Sequence, residues 1–446
     1  MRYKKFQELE LSQLGFGTMR LPLMEDGNTI DEAQVAEMTA YALEHGVNYF
    51  DTAYPYHGGM SEIVIGKILS AYPREKWYLA SKYPGHQIAS SYDPEAVFEE
   101  QLEKCGVDYF DFYLLHNVYE NSIGVYQDPE WGILEYFRKQ KSLGRIRHLG
   151  FSTHARPDTL EAFLDYAGDS MEFCQIQLNY LDWTLQNADA KVKLLNERGI
   201  PIWVMEPLRG GRLAKLSERN EARLKELRPQ ESIASWAMRW LMNVPGVTMI
   251  LSGMSSLAQM KDNVRTFTGG ESRTEDERTS AMGASQTEDE RTSAMGGSRT
   301  ENDRTVVVSG IQTEDEGSSA MGVSQTEEEC RLLLDIAQEM EDALPCTRCR
   351  YCCDGCPMGL DIPMLIHAYN DLKFGGGTTV PMQFDALPEN KKPAACLACG
   401  ACAAICPQKI DIPKALADFS RLLAQAPSWA EICRQREEAA KKLRGH

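Results

Sequence analysis

Eight short apolar runs, each followed by a segment with helical spacing, fill the chain from Leu14 to Val264, and few folds accept that pattern. The runs are LGFGTMRL, VNYFDTA, WYLASKY, YFDFYLLHN, RHLGFST, FCQIQLNYL, PIWVMEPL and VTMILSGM; segments such as DEAQVAEMTAYALEHG and PEAVFEEQLEKCG lie between them. Several of the helical segments end on glycine, the preferred left-handed stop. Eight such βα units in about 250 residues predict an α/β fold, a closed (β/α)8 barrel. A doubly wound sheet also alternates, but its glycine-rich phosphate turn follows the first strand. GFGTMR supplies only two of the three glycines such a turn needs. The barrel is the better fit.

A barrel collects its functional groups at the carboxyl ends of the strands. The polar residues expected there are Asp51 and Tyr56 after the second strand, Lys82 after the third and His116 after the fourth. Ser152 follows the fifth strand, and Gln175 and Asn179 lie on the sixth. Singly, a tyrosine of this kind packs or faces water and a lysine is solvated. At one mouth, they suit carbonyl reduction. Hydride delivery to a C=O builds an alkoxide that needs a proton. A phenol with a pKa near ~10 is a slow acid at neutral pH, and the Lys82 ammonium beside it would lower that value. Asp51 would hold the lysine charged, and His116 would orient the carbonyl oxygen and help relay the proton. The barrel shows no compact zinc-ligand spacing.

FDTAYPYH, ASKY, YLLHN, GFSTH and QIQLNY, in that order, resemble the aldo-keto reductases over about residues 8–265. The resemblance implies Tyr56 as proton donor, with Asp51, Lys82 and His116 completing a tetrad. It also implies reduction of a small-molecule aldehyde or ketone with NADPH or NADH. Ser152, Gln175 and Asn179 stand where the family contacts nicotinamide. SGMSSLAQMKDNV resembles the cofactor phosphate and adenine site, with Ser255, Gln259 and Asn263 as the contacts. Three features depart from the family pattern. Thr153 stands where many members have asparagine, and Met205 where many stack an aromatic ring. The last segment lacks the Lys and Arg that often clamp a 2′-phosphate.

The chain has thirteen cysteines, and eight of them spell one motif twice. Cys346, Cys349, Cys352 and Cys356, followed by Pro357, form C-x2-C-x2-C-x3-C-P; Cys396, Cys399, Cys402 and Cys406, followed by Pro407, repeat it fifty residues on. Two copies predict two [4Fe–4S] clusters in which each fourth cysteine serves the other cluster. One set is then Cys346, Cys349, Cys352 and Cys406, and the other Cys396, Cys399, Cys402 and Cys356. Zinc would need one CxxC pair per half-site and leave several of these cysteines idle. Each motif runs into a similar phrase, LDIPMLIHAYNDL and IDIPKALADFSRLL, which predicts a helix with proline in its first turn. The C-terminal unit therefore reads as a mainly helical, duplicated ferredoxin-like domain. With the barrel, it resembles the aldo-keto reductases that carry such a domain. Cys105, Cys174, Cys330, Cys353 and Cys433 remain as plain thiols.

Between barrel and cysteine motifs lies a thirteen-residue repeat, as in SRTEDERTSAMGA followed by SQTEDERTSAMGG. Its composition is too polar to offset the entropy of ordering, which predicts a mobile surface insertion. From Glu271 to Glu329 there are fifteen acidic and five basic residues, so this segment carries over half of the net charge of −18. The expected division is 1–268 barrel, 269–329 acidic repeat and 330–446 cysteine-rich domain. No basic patch points to nucleic acid, no apolar run is long enough for a membrane span, and MRYKKFQELE has no signal-peptide core. The expected location is the cytoplasm. Nicotinamide gives two electrons as hydride whereas a cluster takes them singly, and no flavin site bridges the two. One reading is therefore a carbonyl reductase whose clusters serve an electron-transfer protein partner, sense redox state or staple a domain. The other is an electron-transfer or redox-sensing protein whose barrel only binds nicotinamide.

Overall fold

The eight apolar runs form β3 (Leu14–Gly17), β4 (Tyr49–Asp51), β5 (Tyr78–Tyr83), β6 (Phe110–Leu115), β7 (Ile146–Thr153), β8 (Cys174–Gln177), β9 (Ile202–Met205) and β10 (Val247–Ser252). All pair in parallel and close in the order β10-β3-β4-β5-β6-β7-β8-β9. This computed structural model describes residues 1–87, 89–269, 325–340, 344, 346, 351–373, 379–406, 410–427, 431, 434 and 438. Most of the acidic repeat, and Cys349 with it, lies outside the described residues. Strands of a closed parallel barrel are covered on both faces, which is why they read as continuous apolar runs. All six residues of β6 are buried.

The helices between them start and stop on recognisable signals. Asp93 accepts a hydrogen bond from the Ala96 backbone N–H ahead of Pro94, and the same helix stops at Gly106 in the left-handed conformation. Four placements differ from the sequence reading. Asp51, Lys82 and Ser152 lie within β4, β5 and β7 rather than after them, and β8 ends two residues before Asn179.

An N-terminal hairpin, β1 (Tyr3–Phe6) and β2 (Leu9–Ser12), closes the amino-end mouth of the barrel. Its signal is faint in sequence because Gln7, not glycine, takes the positive φ at the turn. Phe6 drives its ring into Trp203, Phe112 and Phe173, at centroid distances of 5.0, 5.7 and 6.3 Å. Glu172 locks the plug in place. It accepts hydrogen bonds from Gln7 Nε2 at 2.8 Å and the Leu149 backbone N–H at 2.9 Å, and pairs with His148 and Lys141.

The helix Glu327–Met340, which the expected division splits between the repeat and the cysteine-rich domain, packs on the barrel instead. Its Cys330, Leu333, Ile336 and Ala337 join the barrel's hydrophobic core, and Glu329 forks onto Arg228 at 2.5 and 2.7 Å. The cysteine-rich unit has a separate core, in which the helices Ile362–Lys373 and Ile412–Gln425 pack together. Both start alike, as their shared phrase predicts: Asp361 caps Met364 and Asp411 caps Lys414, each at 3.3 Å. The short helices Tyr351–Asp354 and Ala401–Ile405, one from each cysteine motif, also pack against each other.

This unit rests on the carboxyl-end face of the barrel. Met382, on the helix Thr379–Asp385, packs against Tyr119 and Ala155, which follow β6 and β7. Gln383 Nε2 donates to the His154 carbonyl at 3.0 Å. Asp371 pairs with Arg209, which follows β9, and accepts from Gln186 Nε2 at 3.0 Å. Among the described residues, no helix is long and apolar enough to cross a membrane.

Burial opposes the Glu172 carboxylate, but its donors outweigh that and hold its pKa down at about 2. A depressed carboxyl lends stability above its ordinary value and loses it as pH falls through the folded one. We therefore expect the stability gap between wild type and Glu172→Gln to be full at neutral pH. It should shrink between about pH 4.5 and about pH 2 in denaturant titrations. A gap independent of pH would rule this lock out.

Candidate active site

Strand register brings the tetrad together. Asp51 on β4 stands opposite Ala80 on β5, and Lys82, two residues on, projects to the same face. Lys82 is fully buried. Its Nζ donates to Asp51 Oδ1 at 2.6 Å, to the Thr52 carbonyl at 2.7 Å and to the Tyr56 hydroxyl at 3.4 Å. Burial works against the ammonium, but Asp51 and Tyr56 outweigh it and its pKa lies above the ordinary lysine value. Tyr56 heads a tight turn in which His57, Gly58 and Gly59 all take positive φ, swinging its ring over the mouth. His116 follows β6 and meets the Tyr56 ring edge-on at 5.9 Å.

The phenol does not behave as the sequence reading expected. Burial raises the Tyr56 pKa above the ordinary value, and the nearby Lys82 ammonium opposes this without overturning it. Lys82 thus tempers a buried acid rather than making a strong one.

The expected cofactor contacts divide into three kinds. Gln175 is buried, and its Oε1 has no hydrogen-bond partner among the described residues. An unsatisfied buried acceptor costs about 1–3 kcal/mol, so this atom suits a ligand N–H such as a carboxamide. Ser152 Oγ accepts from the Asn117 backbone N–H at 2.8 Å and keeps its own proton to donate. The Asn179 amide is fully engaged: Nδ2 donates to Asp182 Oδ2 at 2.6 Å and the Glu206 carbonyl at 3.0 Å, while Oδ1 accepts from the N–H groups of Leu181 and Asp182. It braces the site. Ser255 and Gln259 are exposed at the start of the helix Leu257–Thr268, joined by a 2.8 Å bond from the Ser255 N–H to Gln259 Oε1. Asn263 is turned inward onto Ser252 Oγ at 2.8 Å.

Sequence reasoning missed several neighbours. The buried His86 ring lies 4.3 Å from that of His116; its position four residues past Lys82, at the same strand end, was a usable signal. Arg20 reaches from the loop after β3 to Glu206 after β9, with a 3.2 Å ion pair, and lies across Gly253. Nothing in the sequence marks that strap.

In the cysteine-rich unit, Cys396, Cys399 and Cys402 line one apolar-walled cavity together with Cys356 of the other motif. Ala398 and Gly400 take positive φ between these cysteines, and the Ala398 N–H donates to Cys396 Sγ at 3.4 Å. Four cysteines around one apolar-walled cavity, with a backbone N–H turned onto a sulfur, fit a [4Fe–4S] cluster. Cys352 and Cys346 lie near each other, and Cys406 packs on the same core. Cys349 lies outside the described residues. Among the described residues, no three His, Cys, Asp or Glu side chains gather closely enough to hold a single metal ion; a cluster instead spreads its thiolates over several irons.

Residues 13–276 match the Aldo/keto reductase family model, and residues 345–410 match that of the 4Fe-4S dicluster domain. The chain belongs to the aldo/keto reductase family. It is an oxidoreductase barrel with a C-terminal iron–sulfur domain. The chain is similar to an NADH-specific methylglyoxal reductase of Escherichia coli (strain K12), 25% identical over 301 residues, which are 58% of this chain and 90% of that protein. It is 26% identical over 299 residues to L-galactose dehydrogenase of Arabidopsis thaliana, covering 60% of this chain and 88% of the relative. Among solved structures, the holo form of the aldo-keto reductase AKR11C1 from Bacillus halodurans aligns with a TM-score of 0.50. That alignment has 26% identity and covers 63% of this chain and 94% of that one.

The buried pair at the centre of this aldo/keto reductase site carries its own test. Lys82→Met strands Asp51 and should cost roughly 3–5 kcal/mol. The double variant Lys82→Met/Asp51→Leu should recover most of the loss, read as urea midpoints. Equal loss in both would mean that the charges are not coupled.

Proposed function

We propose that the enzyme reduces a small aldehyde or ketone to the alcohol with NADPH or NADH, and that Tyr56 supplies the proton. The observation that carries this reading is the Lys82 ammonium seated between Asp51 and the Tyr56 hydroxyl. Nicotinamide, when bound, would supply the hydride for the carbonyl carbon. Tyr56 protonates the oxygen as negative charge builds there. Lys82 then stabilises the phenolate left behind, and Asp51 keeps the ammonium oriented as the charge moves. His116, held at the mouth with its backbone carbonyl accepting from Tyr126 OH at 2.7 Å, orients the carbonyl oxygen. Ser152 and Gln175 would hold the carboxamide, and Ser255 and Gln259 the far end of the cofactor. The Escherichia coli relative is NADH-specific by name, so both nicotinamides belong in the assay.

Tyr56→Phe should lower kcat by about 10²–10⁴-fold while cofactor affinity holds, in anaerobic assays against aldehydes and ketones. Because the phenol is raised, carbonyl reduction should stay flat to alkaline pH and alcohol oxidation should climb as the phenolate forms. Full turnover in Tyr56→Phe would end the reading. Cofactor binding with no turnover in wild type would instead favour an electron-transfer or redox-sensing protein.

We also propose that Cys396, Cys399, Cys402 and Cys356 hold one [4Fe–4S] cluster and Cys346, Cys349, Cys352 and Cys406 a second. The shared cavity of Cys356 with the other motif supports the exchange of fourth ligands. Cys356→Ser should then drop iron from about eight to about four atoms per chain. It should spare the cluster whose other three ligands lie in the same motif as Cys356. Unchanged iron content would refute the assignment.

A further inference from the structure

Two polar relays run from the iron–sulfur domain to the nicotinamide side of the barrel. The first starts at Gln383, whose Nε2 donates to the His154 carbonyl at 3.0 Å. The His154 N–H donates to Asn117 Oδ1 at 3.2 Å, and the Asn117 N–H donates to Ser152 Oγ at 2.8 Å. Asn117 directly follows His116 in the chain. The second starts at Asp371, which pairs with Arg209. Arg209 Nε pairs with Asp182 Oδ1 at 3.0 Å, and the other oxygen of Asp182 accepts from Asn179 Nδ2 at 2.6 Å and Gln177 Nε2 at 2.8 Å. Asp371, Asp182 and Arg209 are all buried, so none of these charges can exchange its partner for water at little cost.

The backbone adds a second, independent observation. Asn117, Glu206 and Arg209 are not glycine, yet take φ of +54°, +55° and +47°. Such residues hold a costly conformation only where their surroundings over-determine it. Asn117 and Arg209 lie on the two relays, and Glu206 offers its carbonyl to Asn179. The loops after β6 and β9, which brace Ser152 and Asn179 from either side, are thus held in strained shapes, and both relays through them end on groups of the iron–sulfur domain.

Resting on the reductase reading above, we propose that Gln383 and Asp371 of the iron–sulfur domain are positioning residues for the nicotinamide site, so that cofactor affinity depends on the docked domain. Neither touches the cofactor. Each acts through a relay that ends on Ser152 or Asn179. Coupling of this kind is reciprocal: bound cofactor tightens docking by the factor by which docking tightens cofactor binding.

The test uses full-length, cluster-replete protein under anaerobic conditions, with NADH and NADPH titrated by fluorescence. Gln383→Glu removes the donor to His154, and Asp371→Asn removes the charge facing Arg209. Each should raise the cofactor Kd by about tenfold and raise its KM in step. At saturating cofactor, kcat should stay within about twofold, as expected when binding rather than chemistry is disturbed. Asp371→Glu, which keeps the carboxylate, should restore part of the affinity. Tyr369→Phe removes a 2.7 Å bond to Asp418 inside the iron–sulfur domain and should leave Kd unchanged. Cluster absorbance reports whether the domain is intact, and if Asp371→Asn does not fold, Gln383→Glu decides alone. Tight wild-type binding that the relay variants do not weaken would overturn this inference while sparing the function. A wild type that binds no nicotinamide would overturn both.

Discussion

An ammonium group sealed from water sets the terms for the upper half of this barrel. Lys82 can be fully buried only because a carboxylate and a carbonyl meet it at 2.6 and 2.7 Å, and both come from the preceding strand and the turn that follows it. That match depends on β4 and β5 running in parallel with Asp51 opposite Ala80. A slip of one residue would turn Lys82 to the other face of the sheet. The remaining donor of the ammonium reaches the Tyr56 hydroxyl, beside which His116 stands. Barrel closure, buried charge and the Tyr56 phenol are one constraint seen at three scales.

The barrel was legible because period and length both speak in sequence. The eight runs became the eight strands, and the polar residues at their ends gathered at one mouth. The twofold cysteine spelling and the LDIP and IDIP phrases were equally plain, since each encodes a local turn or cap. What escaped the reading was non-local or depended on burial. The hairpin plug hides behind a turn without glycine. The raised Tyr56 phenol follows from desolvation, which residue spacing does not express. The Asn179 amide looked like a ligand contact until its four internal partners were in view. Arg20 with Glu206, and Asp371 with Arg209, join residues 186 and 162 positions apart, and no motif reports such a meeting.

The two ends of the barrel are finished in different ways. At the amino end, a short hairpin fills the opening with aromatic rings and a multiply bonded carboxylate. At the carboxyl end, the loops stay polar and accept a second domain over β6, β7, β8 and β9, leaving the β3, β4 and β5 side to Arg20, Tyr56 and His86. One end stores stability. The other carries chemistry and pays for it with strained loops and buried charge.

The iron–sulfur domain is built from two like halves, each a cysteine motif followed by a proline-started helix, and their helices bury Leu365, Ile366, Leu416 and Phe419 against one another. Neither half has a complete core. Each half covers the apolar face that the other would expose on its own. Joining the two halves in one chain turns an association that dilution could break into one with a fixed effective concentration, so their packing does not depend on how much protein is present.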